Sequence, residues 1–127
     1  MAKDETCLFC RIVAREEPGV VVWENEEFVA IENKYPVAPI HLLVMPKDHV
    51  SKMELASALL RQGYGRAEMT NSHFWDKIMA AVFEVVRLKG LDKTGYKLVN
   101  NGGGYNHFDH EHIHVLGGTR EEPAGTT

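Results

Sequence analysis

The sequence predicts an α+β fold: an antiparallel sheet of about five strands with helices gathered on one face. Three observations predict it. β-Branched and alternating segments fill the first third of the chain and return near its end. One long amphipathic segment lies between them, and a helix with a single apolar stripe needs a sheet to cover it. The connections are short enough for hairpins, which favours antiparallel pairing.

Each element follows from local chemistry. Cys7–Val13 reads as a short helix or turn that ends by Pro18-Gly19. Val20-Val21-Val22-Trp23-Glu24 is β-branched and reads as the first strand. Asn25-Glu26 makes a turn, and Glu27–Glu32 alternates as its hairpin partner. The two prolines of the 33–39 segment, Pro36 and Pro39, make it a loop. Ile40–Met45 is the third strand, closed by Pro46. Ser51 is placed to cap a helix through Arg61, which Gly63 and Gly65 then interrupt. From Asn71 or Ser72 the pattern is clear. Phe74, Ile78, Ala81, Val82, Val85, Val86 and Leu88 recur at helical spacing as a core stripe, with Gly90 as the stop. Gly95–Asn100 is the fourth strand and Asn101–Tyr105 a glycine-rich turn. Asn106–Leu116 supplies the fifth. Thr119–Thr127 reads as a polar tail on a single domain spanning 1–127.

Composition narrows the function. The 127 residues carry a formal charge of −4 with histidines neutral, which argues against nucleic-acid binding. A small anion remains compatible, because loop amides and a few cations can hold a phosphate. No apolar run approaches membrane-spanning length, and the opening Met1–Glu5 is polar, so the expected location is the cytoplasm. Two cysteines are too few for a disulfide framework.

The fifth strand carries the chemistry. His110, His112 and His114 alternate, and residues two apart on a strand share a face. Imidazole near neutral pH can be nucleophile, acid, base or metal ligand. A histidine attacking phosphorus needs one free nitrogen, a fixed partner for the other, donors around the phosphate oxygens and a proton for the leaving group. His112, flanked on its face by the other two, is the best-placed nucleophile. His114 could donate the proton or contact phosphate oxygens. The Gly102-Gly103-Gly104 turn lets backbone amides approach an anion. His41 and His49 sit at a strand and a helix boundary, and His73 reads as an exposed first-turn residue. His107 has the opposite parity to the triad, so a regular strand points it away. Cys7-x-x-Cys10 is either half a zinc site or a redox pair; a thioredoxin-like site follows a strand, and six preceding residues leave no room for one.

These motifs resemble the histidine-triad (HIT) family of nucleotide-binding proteins and hydrolases. The resemblance rests on His110-Glu111-His112-Ile113-His114-Val115-Leu116, on Pro36–His49 with its Pro-x-Ala-Pro-x-His and Pro-Lys-x-His pieces, and on Cys7-x-Phe9-Cys10-x-Ile12-Val13. It implies that His112 is the nucleophile that becomes nucleotidylated and that His114 contacts phosphate and helps protonate the leaving group. It implies a supporting role for His41, a phosphate or ribose contact for Asn100, and a place for Ile31 on the strand lining the base pocket. By the same resemblance Cys7, Cys10, His49 and His110 would hold a structural zinc. Four positions depart from the family pattern. Asn33 stands where an aspartate usually grips the ribose. Glu111 replaces an apolar residue and needs a partner. Asn106-His107 replaces glutamine and a serine or threonine, so His107 becomes a candidate phosphate contact beside Gly104 and Asn106.

The implied activity is hydrolysis or transfer at the α-phosphate of a nucleoside phosphoramidate or related purine nucleotide, through a nucleotidyl-histidine. The alternatives are a dinucleoside polyphosphate hydrolase and a non-catalytic nucleotide-binding zinc protein. The family also implies a homodimer.

Overall fold

The computed structural model describes residues 6–51, 54–55, 70–102 and 109–119. Its elements in chain order are α1 (Leu8–Val13), β1 (Val21–Glu24), β2 (Phe28–Glu32), β3 (Ile40–Pro46), α2 (Thr70–Leu88), α3 (Leu91–Thr94), β4 (Tyr96–Val99) and β5 (Ile113–Gly117). The five strands form one sheet in the order β1-β2-β3-β5-β4, with every pairing antiparallel.

The first hairpin closes on Asn25, whose Oδ1 accepts from the backbone N–H groups of Glu27 and Phe28 at 2.9 and 2.7 Å. The pairing slips between Val21 and Trp23, which spoils strict alternation in β1. β3 lies between β2 and β5, and Leu42–Met45 is buried throughout, so a strand covered on both sides reads as a continuous apolar run.

Alternation divides the sheet into two faces. Phe28, Ala30, Leu42, Val44, Ile113 and Val115 meet Ile78, Ala81, Val82, Val85 and Val86 of α2 and Leu91 of α3. The opposite face presents Val29, Ile31, Leu43 and Met45 to Phe9 of α1. The two later helices therefore share a face, while six-residue α1 lies on the other and carries Cys7, Phe9 and Cys10. One residue expected in the core stripe is not there: Leu88 is 56% exposed. At about 100° per residue it falls roughly a quarter-turn from the centre of the stripe.

α2 stops where Gly90 takes a φ of +72°, a left-handed conformation that glycine adopts without strain. β5 passes close to α3: a Cβ on Gly117 would lie 2.6 Å from Cδ2 of Leu91. Ser51 does cap, its Oγ accepting from the Glu54 N–H at 3.3 Å, and residues 54–55 are helical. The rest of the helix expected through Arg61 lies outside the described residues, as does the tail beyond Thr119. Among the described residues no helix is long and apolar enough to cross a membrane.

Candidate active site and metal centre

β3 and β5 set the site, because their register places His114 opposite Leu43 and His41 opposite Leu116. Both rings project on the α1 face and meet, with His41 Nε2 2.9 Å from His114 Nδ1. His112 lies beside His114, ring centroids 5.1 Å apart. Phe9 of α1 packs edge-on against both His112 and His110, at 5.1 and 5.8 Å. The rings thus form a continuous row: His49, His110, Phe9, His112, His114, His41.

The histidine segment is less regular than simple alternation predicts. β5 begins at Ile113, and His110 makes an isolated bridge with Ser51. The β3–β5 ladder ends at Val44–Ile113 as β3 runs into Pro46, which has no N–H to give. All three rings still lie toward α1, His110 and His112 against Phe9 and His114 beside His112, while His110 Nδ1 joins a different cluster.

Hydrogen bonds fix the tautomers. The His112 Nδ1–H donates to the His110 carbonyl at 2.7 Å, which leaves the lone pair on Nε2. The Val37 N–H donates to His41 Nδ1 at 3.0 Å, which puts the His41 proton on Nε2. That proton is donated to His114 Nδ1, so His114 carries its own proton on Nε2. Two adjacent rings therefore differ in role: one offers a lone pair and the other a proton. Burial holds the His41 pKa below its usual value, which favours this neutral form.

The second cluster joins Cys7, Cys10, His49 and His110, whose ligand atoms all lie within 4.8 Å of one another. Cys7 Sγ is 3.4 Å from His110 Nδ1, and Cys10 Sγ is 3.4 Å from His49 Nδ1 and 3.5 Å from His110 Nδ1. A tetrahedral zinc with bonds of about 2.3 Å to sulfur and 2.0–2.1 Å to nitrogen separates its S and N ligands by about 3.5 Å. The His110 Nε2–H donates to the Pro46 carbonyl at 2.7 Å, which turns the Nδ1 lone pair toward both sulfurs. Burial lowers the His110 pKa, the hydrogen bond to Pro46 opposing it and His49 adding to it, which favours the neutral ring that metal ligation requires. The donor set fits a closed metal site.

Residues 14–121 match the family model of the HIT domain. The chain belongs to the HIT family. It is 32% identical over 114 residues to Protein HitA of Neisseria gonorrhoeae, covering 89% of this chain and 96% of that one. It is 31% identical over 117 residues to a 14 kDa zinc-binding protein of Zea mays, covering 91% and 84%. Among solved structures it resembles a HIT family hydrolase from Clostridium thermocellum with a TM-score of 0.78 and 30% identity, covering 95% and 97%.

Within this HIT fold, His112, His114 and His41 come together, and Cys7, Cys10, His49 and His110 do too. His73 is exposed. Ile31 is buried on the α1 face among Phe9, Val29, Leu43 and Met45. Gly104, Asn106 and His107 lie outside the described residues. Two asparagines have partners that the sequence reading did not anticipate. Asn33 Oδ1 accepts from the Tyr35 N–H at 2.8 Å, and its Nδ2 sits 3.1 Å from His41 Nε2. With the proton already on that nitrogen, the amide gains no hydrogen bond there, whereas an aspartate would accept both. Asn100 Nδ2 donates to Glu111 Oε1 at 2.8 Å and to the His112 carbonyl at 3.2 Å. Glu111 itself is missing from the sequence-based site, although its wrong polarity for a buried position was the available signal.

Proposed function

We propose that this HIT protein hydrolyses nucleoside 5′-phosphoramidates or related nucleotides at the α-phosphorus through a covalent intermediate on His112. The single supporting observation is the pair of tautomers set side by side, a lone pair on His112 Nε2 next to a proton on His114 Nε2. The His112 nitrogen attacks phosphorus, and the bond from phosphorus to the leaving amine breaks. His114 gives that amine its proton, and the backbone-anchored His41 holds His114 in the donating tautomer. Water then attacks phosphorus and gives a proton back to His114, and the bond from phosphorus to His112 Nε2 breaks, releasing nucleoside monophosphate and restoring both histidines. Gly104, Asn106 and His107 are proposed to surround the phosphate oxygens, with Asn33, Asn100 and Ile31 toward ribose and base.

Cys7, Cys10, His49 and His110 are proposed to hold one structural zinc. Zinc there ties α1 to the strand entry. Its two cysteines are unbridged thiols, which suits a reducing cytoplasm. A homodimer is proposed through β4, a sheet edge, beside the exposed Phe83, Leu88 and Tyr96. A purely monomeric chain in sedimentation would refute it.

Incubation with adenosine 5′-phosphoramidate tests the activity. The expected product is AMP, with a nucleotidyl adduct on His112 in quenched samples. His112→Ala should lose turnover; equal rates for both proteins would dismiss the mechanism. One observation favours a second reading, nucleotide binding without turnover: His112 is 4% exposed, its ring edge-on to Phe9. AMP binding with no adduct from any phosphoramidate or diadenosine polyphosphate would select it.

A further inference from the structure

The backbone around the proposed nucleophile is held by side chains at a point where the sheet gives out. The β3–β5 register ends at Val44–Ile113, and the β4–β5 register ends at Val99–His114. Both pairings stop short of His112. Its N–H donates instead to Oε1 of Glu111 at 2.9 Å, and its carbonyl accepts from Nδ2 of Asn100 at 3.2 Å. The same Asn100 nitrogen donates to Glu111 Oε1 at 2.8 Å and joins the two contacts. The Glu111 backbone N–H donates to the Val50 carbonyl at 2.7 Å.

Glu111 is 2% exposed. A buried carboxylate is costly unless hydrogen bonds satisfy it, so an apolar residue would fill this space with less penalty. The same oxygen takes two donors, one of them the nucleophile's own amide. The His112 ring is in turn fixed by Nδ1–H donation to the carbonyl of His110, two residues back. That bond forms at a narrow range of the intervening backbone torsions. Whatever locks residues 111 and 112 therefore aims His112 Nε2.

We propose that Glu111 and Asn100 form a positioning clamp, which fixes the His112 backbone where the β ladder ends and so holds the ring in line for attack. The catalytic half of this inference rests on the reading of His112 as nucleophile; the backbone half does not. Neither residue is assigned contact with the reacting atoms. In the clamp both act through the peptide units of His112, Asn100 by its Nδ2 alone, which leaves its Oδ1 for the proposed ribose contact.

The experiment compares wild type with Glu111→Leu, Glu111→Gln and Asn100→Ala by two readouts. One is single-turnover nucleotidylation of His112 by adenosine 5′-phosphoramidate. The other is hydrogen exchange of the His112 amide in ligand-free protein. Glu111→Leu should stay folded by circular dichroism and lose about 10–100-fold in nucleotidylation rate with KM within about 3-fold, the scale of losing an orienting partner. Its His112 amide should exchange at least about 10-fold faster, as expected when a charge-assisted bond is removed. Glu111→Gln keeps an oxygen acceptor and should recover both readouts to within about 3-fold of wild type. Asn100→Ala removes one arm and should fall between, which keeps the test decisive if Glu111→Leu does not fold. Wild-type rates and wild-type exchange in folded Glu111→Leu or in Asn100→Ala would overturn the clamp. If wild type forms no adduct, the nucleophile reading fails, and the amide exchange by itself supports or overturns the backbone anchoring.

Discussion

Removing the proposed zinc should destabilise the protein by an amount that the site's design sets. The four donors come from α1 and its cap, from the segment after β3 and from the entry to β5. A metal there binds the folded chain and has no preformed site in the unfolded one, so its binding energy becomes folding energy. At free zinc about 1,000 times the dissociation constant, linkage contributes about 4.1 kcal/mol. For 127 residues the entropy of unfolding is about 0.27 kcal/mol/K, so this corresponds to about 15 °C in Tm. The assay is thermal denaturation before and after exhaustive chelation, then after zinc is restored, with elemental analysis giving about one zinc per chain. Single replacements Cys7→Ser, Cys10→Ser, His49→Ala and His110→Ala should each lose most of the zinc-dependent increment. A Tm that moves by less than about 2 °C on chelation and on readdition would refute a structural metal, given the scale above. Any one of the four variants keeping the whole increment would remove that residue from the ligand set.

Two further outcomes follow from the packing and the buried histidine. Gly117→Ala drives a Cβ to 2.6 Å from Leu91, which is 1% exposed and has little room to yield, so stability should fall by about 1–3 kcal/mol in urea denaturation. For His41 the folded pKa lies below the unfolded value, so the unfolded chain takes up the proton first. Its contribution is therefore present above the ordinary histidine pKa near 6.5 and lost as pH falls through the lower folded value. Chemical denaturation at pH 7.5 and 5.5 should show a larger acid loss in wild type than in His41→Gln, and equal losses would contradict this assignment.

Much of this was legible from periodicity. Burial at Ile78, Ala81, Val82, Val85 and Val86 followed from spacing, and strand parity correctly put His112 and His114 on one face. What parity could not supply was the point where the ladder ends, because that depends on Pro46 being the register partner due opposite Glu111. The asparagines were harder. Asn33 and His41 are joined by a loop that folds back on itself, with Tyr35 and Val37 amides turned inward, and no local pattern encodes that. Asn100 and Glu111 meet just beyond the paired ends of β4 and β5, a contact that needs register as well as sequence. The proposed metal ligands were legible as residue types, but their convergence depends on α1 docking through Phe9 onto the face opposite α2.

The wide sequence spread of the proposed metal ligands constrains how the molecule is made. Cys7 and His110 are 103 positions apart. At about 5–20 residues per second, a ribosome needs roughly 5–20 s to travel between their codons. For that interval the two thiols exist without half of their partners, open to stray metals and oxidants. Capture of the proposed zinc would then come near the end of biosynthesis, when the last strand arrives and seals the first helix in place.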